Sequence, residues 1–137
     1  MSAFGPGSFD NDDALDWAAE LEDMRGLKFV KATLREVIDA ADGLLEAEAA
    51  ARGIAAAEVV AGLNDAPGDD LPEEVENWIE EQRGRSEVDL SPLALEAVER
   101  VQTKCALADQ WKKGPDAQRW TDALKNLEER LRGEPDP

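Results

Sequence analysis

Glu46-Ala-Glu-Ala-Ala-Ala-Arg-Gly-Ile-Ala-Ala-Ala-Glu-Val-Val-Ala-Gly-Leu63 is the stretch on which the fold turns. Alanine has the highest helix propensity of any residue. Its short side chain also permits neighbouring helices to approach closely. A helix is therefore expected from about Glu46 to Leu63. Gly53 costs such a helix about 1 kcal/mol relative to alanine, which leaves room for a break there. Glu58 stands out because apolar residues flank it on both sides. A carboxylate in such a place needs a partner or must stay neutral. Two readings stay open for it: a buried structural anchor bonded to a backbone amide or an arginine, or a functional carboxylate.

Outward from that stretch, apolar residues recur with helical spacing. Toward the N-terminus, Ala14, Trp17, Ala18, Leu21 and Met24 lie on one face of a first helix that Gly26 ends. Asp10 is its expected N-cap. A second helix, from about Leu27 to Ala41, buries Val30, Leu34, Val37, Ile38 and Ala41, and Asp42-Gly43 stops it. Toward the C-terminus, Pro72 at the first helical position opens a fourth helix with Val75, Trp78 and Ile79 inward. Ser91 as N-cap and Pro92 open a fifth, extending to about Lys113 through Ala94, Ala97, Val98, Val101, Cys105 and Ala108. A sixth runs from about Asp116 to Leu131, with Trp120, Leu124, Leu127 and Leu131 in register. No segment alternates as a strand does. The expected fold is all-α: a single-domain bundle of about six amphipathic helices over residues 1–132. Residues 1–10 form an N-terminal docking loop, and 133–137 a frayed tail.

Composition removes whole classes of chemistry. The 137 residues include no His, no Tyr and one Cys, Cys105. An intrachain disulfide, a Cys/His zinc site, a Ser-His-Asp or Cys-His nucleophile and a histidine switch are all excluded. The net charge is −17, and it is unevenly spread. Residues 1–81 carry 21 acidic and 5 basic side chains; residues 82–137 carry 11 and 10. Between Glu36 and Glu81 the one base is Arg52. Such a field repels phosphate backbones and anionic lipid, so neither nucleic acid nor membrane is an expected partner. The N-terminus has no signal-like pattern and no stretch is long enough to span a bilayer. The expected location is cytoplasmic. Abundant alanine, and nine Arg against six Lys, fit a GC-rich bacterial genome.

The carboxylates provide the candidate sites. Asp10, Asp12, Asp13 and Asp16 crowd one helix start. Capping and solvated charge account for them; the EF-hand spacing fails, and a weak cation site is the other reading. Glu20/Asp23, Glu36/Asp39 and Glu73/Glu76/Glu80 share helix faces by spacing. Rows of this kind hold Mg²⁺ in some helical nucleotide hydrolases, but little Lys or Arg stands beside them to grip phosphate. Gly5-Pro-Gly-Ser8 resembles an anion cradle only superficially and reads as a turn. No catalytic residue, metal or cofactor is expected.

Phe4-Gly-x-Gly-x-Phe-Asp-Asn-Asp-x-Ala-x-Asp-Trp17 resembles the opening of the domain-of-unknown-function family 4259, a family of small bacterial proteins. The likeness continues at Ala55-Ala-Ala-Glu-Val-Val-Ala61, at Leu71-Pro72 with Trp78, and at Ala106-Leu-Ala-Asp-Gln-Trp111. It extends to Trp120 with Leu124, Leu127 and Arg130-Leu131. Phe4 departs from the tryptophan expected there. The resemblance implies a small helical domain with no assigned activity and carries over no catalytic residue. If the family shares a site, the motif's polar members Asn11, Asp12 and Asp16, with Glu58, are the candidates. The expected function is that of a non-enzymatic acidic protein binding a basic protein, antitoxin- or immunity-like in its concrete form. Its acidic face would include Glu73, Glu76 and Glu80. A Mg²⁺-dependent nucleotide hydrolase using the helix carboxylates is the alternative.

Overall fold

The computed structural model describes residues 12–24, 27–39, 47–64, 71–82, 90–103 and 117–132. They form six helices and no strand: α1 (Asp12–Glu22), α2 (Lys28–Asp39), α3 (Ala47–Leu63), α4 (Glu73–Gln82), α5 (Ser91–Thr103) and α6 (Ala117–Arg132). The all-α, single-domain bundle expected from the apolar spacing is the observed fold. The docking loop, the Asp10 cap, Ala41 with the Asp42-Gly43 stop, the continuation through Cys105 and Ala108, and the tail lie outside the described residues.

The alanine-rich helix is the hub. α3 packs against each of the other five helices. Every residue from Gly53 to Gly62 is buried, so this stretch has no solvent face. The expectation that all six helices are amphipathic is corrected here: a helix apolar on every side belongs inside the core. No break occurs at Gly53 either. A Cβ built there would collide with the Val37 side chain on α2, so glycine at this position lets α2 and α3 come together. Gly62 plays the same part toward α4, where an added Cβ would lie 2.6 Å from Ile79 Cδ1.

α1 and α2 meet through a polar contact set in apolar surroundings. Trp17 stacks on Phe29, with ring centroids 5.3 Å apart and planes 15° from parallel. Its indole Nε1–H donates to Thr33 Oγ1 at 2.8 Å. The Thr33 hydroxyl in turn donates to the Phe29 carbonyl one turn earlier, at 3.0 Å. Both polar groups are thereby satisfied, as buried indole and hydroxyl groups must be. Thr33 thus joins Val30, Leu34 and Val37 on the buried face of α2. Ile38, expected in that stripe, is only half-buried.

Met24 also departs from expectation. α1 ends at Glu22 in a tight turn, with the amides of Asp23 and Met24 donating to the carbonyls of Glu20 and Leu21. The helical spacing therefore stops before Met24, and its side chain is 41% exposed. What Met24 contributes is its carbonyl, which accepts a 2.9 Å bond from Trp78 Nε1 of α4. Two caps also differ by one position. The amides of Val75 and Glu76 donate to the Pro72 carbonyl, and that of Ala94 to the Leu90 carbonyl. Pro72 and Leu90 are accordingly the N-caps. Ser91 lies inside the first turn of α5, where its buried hydroxyl accepts from Asn64 Nδ2 just past α3.

Candidate functional site

Burial decides where the carboxylates of α4 point. Val75, Trp78, Ile79 and Gln82 are its buried residues. Glu73, Glu76 and Glu80, spaced i, i+3, i+7, share the opposite, exposed face. Glu81 is exposed as well. α1 follows the same logic: Ala14, Trp17, Ala18 and Leu21 are buried, and Asp16, Glu20 and Glu22 are exposed. The two helices pack against each other, tied by the Trp78–Met24 bond. Each has five acidic residues and no basic one. The result is a pair of adjacent helices carrying ten carboxylates with no Lys or Arg in either.

The Glu36/Asp39 row has been drawn into ion pairs. Glu36 accepts from Arg52 at 2.8 Å across the α2–α3 contact, and Asp39 lies 3.9 Å from Arg35 one turn before it. Among the described residues, no group of three or more His, Cys, Asp or Glu side chains is placed to hold a metal ion. The helix rows that spacing singled out therefore do not converge on a common point.

Glu58 belongs to a different place. Its side chain is 3% exposed, and both carboxylate oxygens are engaged by Arg130 of α6. Arg130 Nη1 donates to Oε1 at 2.7 Å and Nη2 to Oε2 at 3.1 Å. Arg130 Nε donates to Asn126 Oδ1 at 2.7 Å. This fork-to-fork arrangement fits the planar guanidinium, and its charge-assisted bonds are among the strongest available to side chains. Nearby on α6, Glu128 accepts from Gln102 of α5 and from Arg132 at 3.3 Å. A buried carboxylate so held is a structural tie between α3 and α6. Asp16 stands exposed on α1, so the structure does not bring Asp16 and Glu58 into one site. Asn11 and the side chain of Asp12 lie outside the described residues.

Of the two partners expected for a buried Glu58, a backbone amide or an arginine, the structure shows an arginine. Arg130 sits between Leu127 and Leu131, both buried, and its position on the edge of that apolar stripe was the available signal. Thr33 and Gln82 were missed. Each falls at the helical spacing of buried apolar neighbours, which is the pattern that would have found them.

The family described as Domain of unknown function (DUF4259) matches residues 2–123. The chain belongs to that family. Asn11, Asp12, Asp16, Glu58, Glu73, Glu76 and Glu80 all lie within the DUF4259 span. The match stops short of Leu124, Leu127 and Arg130-Leu131, which the resemblance had taken in. The Glu58–Arg130 tie thus joins a residue inside the DUF4259 span to one beyond it. No curated protein and no solved structure matches the chain. No helix of the described residues is long and apolar enough to cross a membrane.

Proposed function

We propose that this chain is a non-enzymatic interaction protein whose acidic α1–α4 surface engages a basic protein partner. An inhibitor that covers a basic protein, in the manner of an antitoxin or immunity protein, is the concrete form of this reading. One observation carries it: two packed helices hold ten carboxylates and no base. A surface of one sign steers an oppositely charged partner toward it and raises the rate of encounter. The same attraction is screened as ionic strength rises, over a Debye length of about 8 Å at physiological salt.

The test is capture of partners from host lysate by the tagged chain and by a Glu73→Lys, Glu76→Lys, Glu80→Lys variant. These side chains lie on the exposed face of α4, so the variant keeps its helical circular dichroism. The reading expects a basic protein that the parent chain captures at low salt and releases at high salt, and that the variant does not capture. Capture of the same protein by both, unaffected by salt, overturns it.

A further inference from the structure

We draw no further inference here: the strongest candidate, the exposed apolar side chains of Leu15 on α1 and Met24 just past its end, carries nothing because nothing in the structure shows what covers them.

Discussion

Glu58 and Arg130 are 72 residues apart in sequence and meet in a bidentate ion pair that fastens α6 to the central helix. Removing either partner leaves the other charged and largely buried. Such losses cost about 3–5 kcal/mol. Glu58→Ala and Arg130→Ala should each lower the stability read by chemical denaturation by that order. A Glu58→Leu, Arg130→Met double variant should recover most of the loss, because a well-packed apolar pair can replace a buried ion pair. Unchanged midpoints for both single variants would remove the pair from the stabilising contacts.

Gly53 and Gly62 should respond differently to alanine. Helix propensity alone favours alanine by about 1 kcal/mol at each. At Gly53 the new methyl meets a β-branched side chain, Val37, whose χ1 has little freedom. Overpacking costs about 1–3 kcal/mol, so Gly53→Ala should destabilise. Shrinking the neighbour with Val37→Ala should relieve that strain. At Gly62 the obstacle is Cδ1 of Ile79, the far end of a longer side chain that can turn aside. Gly62→Ala should therefore cost less than Gly53→Ala. Thermal melts of both variants in parallel decide the order, and equal shifts would mean that the α2–α3 approach is not limiting.

The Trp17–Thr33 bond separates shape from hydrogen bonding. Thr33→Val keeps the volume but leaves the buried indole N–H without its acceptor. An unmet buried donor costs about 1–3 kcal/mol. Thr33→Ser retains the acceptor and should lose less. Denaturation followed by tryptophan fluorescence distinguishes them, and a Val variant as stable as the Ser variant would contradict the assignment.

Charge at the end of α4 is unfavourably placed. Its last turn holds no basic residue, and Glu81 is exposed there, where the helix dipole favours a cation. Glu81→Lys should stabilise the fold by about 0.5 kcal/mol at low salt. The gain should shrink as sodium chloride is added, because exposed charges are screened. A gain that persists in molar salt would point to a contact rather than to the dipole and net charge.

Much of the fold was legible in the residues, for a simple reason. Val30, Leu34 and Val37, or Leu124, Leu127 and Leu131, recur at helical spacing because each helix buries one side. α3 hid its role because periodicity reports contrast between faces, and a run such as Ile54–Ala57 followed by Val59–Ala61 offers none. Gly53 reads as a weak point for a related reason: propensity measures an isolated helix, whereas Val37 lies on a neighbour. Met24 matched the spacing of a helix that had already ended. The candidate site was legible in its residue types but not in its grouping. Glu58 was conspicuous among apolar neighbours, yet only packing shows that it faces α6, whereas Glu73, Glu76 and Glu80 face solvent.

The order in which a ribosome delivers these helices has a consequence for the central one. α3 is complete once Leu63 has emerged, but the guanidinium that meets its carboxylate arrives 72 positions after Glu58. At elongation rates of about 5–20 residues per second, that is an interval of roughly 4–14 s. Throughout it, Glu58 has no Arg130 and α6 is absent from the wall formed by α3 and α5. A nascent chain stopped short of Arg130 keeps every apolar residue of α3 yet lacks the guanidinium that meets its buried carboxylate. Quality-control proteases would meet such truncated products with the core helix imperfectly sealed.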